Sequence, residues 1–187
     1  MLNEHKKRAE EKMSKALDTL RKEFATLRTG RASLGMLDGI MVDYYGTPTA
    51  LNQVANMAVP DPRQITIQPW EAKMLGEIEK AILKSDIGLT PSNDGKIIRL
   101  SIPALTEERR QQIVKHAKKL AEDARVAVRN TRRDINDEIK RKSKDKDAHV
   151  SEDETKKLQE EIQKTTDAYI KKIDEVLAHK EKEIMTV

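Results

Sequence analysis

From residue 106 to residue 142 the chain reads TEERRQQIVKHAKKLAEDARVAVRNTRRDINDEIKRK, thirty-seven residues without a glycine or a proline. Val114, Ala117, Ala121, Ala124, Val128, Thr131, Ile135 and Ile139 recur at three-four spacing and lay one stripe along a helix, flanked by Ile113, Leu120 and Ala127. Thr106 is placed to cap the helix, and Glu107 and Glu108 fall in its first turn, where carboxylates meet the positive end of the helix dipole. At 1.5 Å per residue such a rod is roughly 50 Å long, well beyond the average helix. Its alanines leave room for a neighbour to approach closely.

A helix with a single apolar stripe must bury it against something, and the chain supplies two partners. Upstream, Leu2, Met13, Leu17, Leu20, Phe24 and Leu27, filled in by Ala9 and Ala16, predict a first helix running to about Arg28. Downstream, residues 143–150 are polar and aperiodic, and Ser151 with Glu154 three residues later forms a capping box. The helix that starts there carries Leu158, Ile162, Thr166, Tyr169, Ile173, Val176 or Leu177, and Ile184 on one side. A short connection makes the second and third helices antiparallel neighbours, and the first closes a three-helix bundle. The stripes alone leave open an extended coiled coil or oligomer, because they do not say whether the partner helix lies in the same chain.

The intervening stretch has a different composition. All seven glycines lie between Gly30 and Gly95, and all six prolines between Pro48 and Pro103. Both residue types punctuate turns and are unfavourable inside helices, so a turn-rich body is expected between helical ends. Strands are predicted at Leu37–Tyr45, ending in Gly46-Thr47-Pro48, at Arg63–Gln68, and at Lys96–Ile102, with a helix over residues 71–84. The fold class is therefore α+β: residues 1–29 and 105–187 as an elongated bundle, residues 30–104 as a small inserted β/α/β domain. The chain crosses between them near residues 29–35 and 102–106, and Gly30 and Gly35 soften the first crossing into a candidate hinge.

Composition excludes several function classes. There is no cysteine among the 187 residues, which removes disulfides, thiolate metal sites and cysteine nucleophiles. No segment approaches the roughly 20 apolar residues of a membrane span, and the charged start, which mixes Glu4, Glu10 and Glu11 with its bases, resembles neither a secretory signal nor a transit peptide. A cytoplasmic location is expected. His5, His116, His149 and His179 stand singly and read as solvated residues with no metal-ligand pair. Gly30–Gly35 lacks the Lys-Ser/Thr ending of a phosphate loop and follows a helix instead of a strand. The chain is read as a non-enzyme with no metal and no cofactor.

Charge distribution is more informative. Residues 109–146 hold fourteen basic and six acidic side chains, whereas residues 147–187 hold seven and eleven. Within the basic part, Arg125, Arg129 and Arg132 fall in an arc of about 60° and Arg133 within about 100°, a ladder expected to face outward. Guanidinium forks match phosphate oxygens bidentately and stack on bases, which points to structured RNA. The competing reading is a solubilising face paired with Glu122, Asp134 and the third helix. Charge alone slightly favours the solubilising face, because basic helix faces are common and Lys and Arg nearly balance Asp and Glu overall; a scaffold protein and an enzyme with a pocket near Tyr44, Tyr45 or Trp70 stand as rival classes.

Several ordered motifs decide among these. Arg28-Thr29-Gly30-Arg31-Ala32-Ser33, Leu37-Asp38-Gly39-Ile40 leading to Tyr44-Tyr45-Gly46-Thr47-Pro48-Thr49, Leu105-Thr106-Glu107-Glu108-Arg109-Arg110, Arg125-Val126-Ala127-Val128-Arg129-Asn130 through Arg132-Arg133-Asp134, and Asp167–Asp174 together resemble the ribosome recycling factor family over nearly the whole chain. One departure stands out: many members have proline after the Arg-Ala-Ser of the first crossing, where this chain has Leu34. The stiffness and resting angle of the hinge are therefore not carried over.

The resemblance implies an L-shaped molecule with a transfer-RNA-like outline that binds the post-termination ribosome, chiefly large-subunit ribosomal RNA. With elongation factor G, which hydrolyses the GTP, it would split the ribosome and release messenger RNA and deacylated transfer RNA, acting as a monomer away from membranes. It assigns RNA contacts to Arg129, Arg132 and Arg133, with Arg125 alongside, and a hinge to Arg28, Thr29, Gly30, Arg31, Pro103, Ala104, Leu105 and Thr106.

Overall fold

The computed structural model describes residues 2–144 and 151–186. Three long helices form one unit: α1 (Leu2–Thr26), α3 (Glu107–Ser143) and α4 (Glu152–Met185). The apolar stripes fix their packing. On α3 the buried positions are Ile113, Ala117, Ala121, Ala124, Val128, Thr131, Ile135 and Ile139, so the stripe begins at Ile113 and not at the half-buried Val114. On α4 they are Leu158, Ile162, Thr166, Ile173, Leu177 and Ile184. The capping box is present: the Ser151 hydroxyl accepts from the Glu154 N–H at 3.2 Å and the Glu154 carboxylate accepts from the Ser151 N–H at 3.0 Å.

Side-chain pairs set the helix directions. Lys118 meets Glu181, Arg125 meets Asp174, and Arg132 meets Gln163, so rising α3 numbers pair with falling α4 numbers and the two run antiparallel. Arg8 on α1 reaches Glu138 on α3 at 2.8 Å, and Lys6 reaches Glu161 on α4 at 3.3 Å. His5, expected as a solvated residue, is buried at 5% exposure. It lies four residues before Ala9 and eight before Met13, so the α1 stripe sweeps it toward Glu138 of α3, 3.7 Å from its Nδ1. His116 and His179 are exposed, and His149, like residues 145–150 generally, lies outside the described residues.

Arg28–Glu107 form the second unit. A hairpin of β1 (Met41–Tyr44) and β2 (Thr47–Ala50) turns at Tyr45-Gly46, both with positive φ (50° and 84°), and the Asp43 carboxylate accepts from the Gly46 N–H at 2.7 Å. A second, antiparallel sheet has the order β3 (Ala55–Asp61), β4 (Gln64–Pro69), β6 (Ile98–Ser101), β5 (Pro91–Asn93), with helix α2 (Leu75–Lys84). Ile65 and Ile67 of β4 stand opposite Leu100 and Ile98 of β6, and these four side chains are fully buried with Ile78 and Ile82 of α2. That is the period of two meeting the period of 3.6 across one core.

The expected strand at Leu37–Tyr45 is shorter than predicted. Residues Leu34–Leu37 wind into a 3-10 turn capped by the Ser33 hydroxyl, and extended chain begins only at Met41. β2, β3 and β5 have no counterpart among the predicted strands. β3 and β5 are edge strands carrying Pro60 and Pro91, and prolines are tolerated at such edges because one side of the strand needs no N–H donor. No described helix is long and apolar enough to cross a membrane.

Candidate nucleic-acid interface

The buried stripe Ala124, Val128, Thr131 and Ile135 determines where the arginines of α3 can point. Arg125, one residue past Ala124, is turned toward α4. Its Nε and Nη2 donate to Asp174 Oδ1 at 2.9 and 2.6 Å, and its Nη1 donates to Glu122 Oε2 at 2.9 Å. Only 20% of its side chain is exposed. Burial works against its charge, but Asp174 and then Glu122 outweigh it and raise the guanidinium pKa above its ordinary value.

Arg132 also leans toward α4, donating from Nη1 to Gln163 Oε1 at 2.7 Å, and Gln163 in turn donates to Asp167 at 2.8 Å. Arg129 is held within its own helix, with Nη1 donating to Glu122 Oε1 at 2.9 Å. Arg133 is exposed and no hydrogen bond or ion pair holds it among the described residues. The four arginines are thus not one outward ladder. Arg125 is a helix-to-helix tie, Arg129 and Arg132 are half-exposed, and Arg133 is exposed together with Asn130 and Val126. Glu122 and α4 pair with the arginines, whereas Asp134 does not.

Sequence alone does not single out Glu122 from the other acidic residues of α3. Its two oxygens are divided between two guanidiniums, and those bonds, Arg125 first and then Arg129, hold its carboxyl below the usual carboxylate range. The three- and seven-residue spacing of Glu122, Arg125 and Arg129 places all three on adjoining turns. Gln163 and Asp174 were not individually legible, because naming them requires the register of α4 against α3.

In the second unit the crossings are tied to one place. The Ala32 N–H donates to the Pro62 carbonyl at 2.7 Å, and the Ile102 N–H donates to the Arg63 carbonyl at 2.8 Å, so the β3–β4 turn holds both the incoming and the outgoing segment. Beyond those anchors, Thr29 and Gly30 are buried, Leu105 is half-buried, and Arg28, Arg31, Pro103, Ala104 and Thr106 are exposed. Arg28 Nη2 donates to the Asp86 carbonyl at 3.3 Å. Gly30 has φ of +75°, and a Cβ built there would lie 2.9 Å from Leu105 Cγ, so the crossings pack against each other at a point only glycine accommodates.

Of the aromatic residues of the second unit, Trp70 is exposed, whereas Tyr44 and Tyr45 are tied down by hydrogen bonds. Tyr44 and Tyr45 donate their hydroxyls to the two oxygens of Glu71 at 2.7 and 2.8 Å, and their rings meet edge to face at 4.8 Å. These bonds lower the Glu71 pKa and raise those of both phenols. An open groove of about 530 Å³ lies elsewhere, along α1 from Glu10 to Lys22 with Tyr169. Among the described residues no group of three His, Asp or Glu side chains is placed to hold a metal ion.

The sequence pattern of ribosome recycling factors matches residues 20–185. The chain belongs to the ribosome recycling factor family. It is 59% identical over 175 residues to the ribosome-recycling factor of Trichlorobacter lovleyi, covering 94% of each chain, and 56% identical over 187 residues to that of Syntrophobacter fumaroxidans, covering all of both. A solution structure of ribosome recycling factor, 41% identical, aligns with 100% of this chain and 98% of its own at a TM-score of 0.76. A second similar structure, 45% identical with 99% of each chain covered and a TM-score of 0.63, is a T. thermophilus ribosome recycling factor described with E. coli elongation factor G on the E. coli post-termination complex. Ribosome recycling factors are translation factors and not enzymes.

Proposed function

We propose that this chain binds the post-termination ribosome and, together with elongation factor G, splits it into subunits, releasing messenger RNA and deacylated transfer RNA for a new round of synthesis. The GTP is hydrolysed by elongation factor G; the chain itself uses no cofactor and acts as a cytoplasmic monomer. The observation that carries the reading is the end-to-end match to recycling factors, one of them placed with elongation factor G on the post-termination complex. The presented arginines of α3 supply a physical means of gripping ribosomal RNA.

In this reading Arg129, Arg132 and Arg133 contact large-subunit ribosomal RNA through phosphate oxygens, while Arg125 ties α3 to α4 and orients the others. Arg28 to Arg31 and Pro103 to Thr106 form the hinge, working beyond the anchors at Ala32 and Ile102. Phosphate contacts release condensed counterions, so binding weakens steeply with salt. Co-sedimentation with purified large subunits across a salt titration tests the interface. Arg132→Ala, with its helical circular dichroism and melting curve unchanged, is expected to lose about tenfold or more in affinity and to show a shallower salt slope. Wild-type affinity in the folded variant would remove Arg132 from the interface.

A further inference from the structure

The carboxylate of Glu122 bridges two guanidiniums, one oxygen to Arg125 Nη1 and the other to Arg129 Nη1, both at 2.9 Å. A phosphate group offers the same thing, a pair of anionic oxygens able to take two guanidinium donors at once. The bridge is not part of the packed interior, because half of the Glu122 side chain and 40% of the Arg129 side chain are exposed. The two halves of the bridge are also unequal. Arg125 is held independently by two bonds to Asp174 and stays in place if Glu122 leaves, whereas Arg129 has Glu122 as its partner.

We infer that Glu122 is a displaceable internal counterion that occupies the phosphate position of Arg129 in the free protein and sets how selectively the arginine face takes RNA. This rests on the reading of that face as the RNA interface. When a phosphate arrives, Arg129 exchanges one anionic partner for another, and Glu122 remains on Arg125. A lone phosphate gains little from that exchange, since it gives up water and meets the displaced carboxylate nearby. An RNA surface that also engages Arg132 and Arg133 gains enough contacts to complete it. Glu122 therefore penalises loose, single-point RNA contacts more than it penalises the matched surface, which is selectivity by a built-in repulsion.

The test measures binding of wild type, Glu122→Gln and Arg129→Ala to two probes, purified large ribosomal subunits and a plain 16-base-pair RNA duplex, each across a salt titration. Glu122→Gln keeps the shape and one acceptor while removing the charge. It is expected to bind the duplex about five- to tenfold tighter at low salt, with a salt slope steeper by about one phosphate equivalent. Its gain on large subunits is expected to be smaller, so the ratio of the two affinities falls. Arg129→Ala should weaken both probes. Glu122→Ala serves as a second variant, and melting curves confirm that all are folded. If Glu122 only props the arginines in place, Glu122→Gln and Glu122→Ala bind both probes equally or more weakly with an unchanged slope, and the counterion role is overturned while the interface stands. If Arg129→Ala binds as wild type does, the interface reading of Arg129 and the counterion role fall together.

Discussion

His5 illustrates what a single residue hides in a sequence. Surrounded by Glu4, Lys6, Lys7 and Arg8, it reads as part of a solvated run, yet it sits on the same helical side as Ala9 and Met13 and is buried with them. The spacing carries the signal, and the polar neighbours mask it. Burial first, then Lys142, hold the imidazole below its ordinary value of 6.5, with Arg8 acting in the same direction and Glu138 and Glu4 opposing. A histidine with a depressed folded pKa is more readily protonated when unfolded, so its stabilisation is full above pH 6.5 and is lost as pH falls toward the folded value. The melting temperature is expected to decline between about pH 7 and pH 5, and His5→Leu should flatten that decline. Identical pH profiles for the two proteins would show that His5 does not contribute it. At the same scale, the arginines were identifiable by type and arc, but their division into a pinned Arg125 and a presented Arg133 depended on partners that lie 49 residues away, as Asp174 does from Arg125.

The helices were legible because long stripes average out local exceptions. α3 and α4 each bury at least six residues at three-four spacing, and the capping box at Ser151 marks a boundary by its own chemistry. The alanines of α3 permit close approach of a neighbouring helix, and Ala117 and Ala121 are completely buried. Ala121→Leu is therefore expected to overpack the bundle and lower its unfolding free energy by about 1–3 kcal/mol, measurable by urea denaturation. A neutral result would mean that α3 is not closely packed there. Strands were less legible. β4 and β6 alternate cleanly because they are the central pair of the sheet, whereas β3 exposes most of its residues and bulges between Ala58 and Asp61. An edge strand of that kind has one neighbour to satisfy, and its sequence is correspondingly free to look like a loop.

Over the whole molecule, confinement of glycine and proline to the middle of the chain signalled two kinds of architecture, and the structure divides into an all-helical unit and a mixed unit. What composition did not reveal is that the β3–β4 turn fastens both crossings, at Pro62 and Arg63. Under the proposed function, motion between the units is then confined to the few residues between that anchor and the helices. The crossings approach at Gly30 and Leu105, where a direct cross-link is too disruptive, so the test introduces cysteines at the exposed positions 31 and 104 and joins them with a bifunctional thiol reagent to stiffen the crossings. The cross-link is expected to leave large-subunit binding unchanged and to slow recycling severalfold, and full-speed recycling would refute the hinge. Under the proposed function this chain, through the arginine face of α3, separates ribosomal subunits with elongation factor G. Light scattering of post-termination ribosomes tests it most directly. Scattering is expected to fall only when the chain, elongation factor G and GTP are all present, and to fall markedly more slowly with folded Arg132→Ala. Undiminished scattering with the wild-type chain, or an equal rate with the variant, would contradict it.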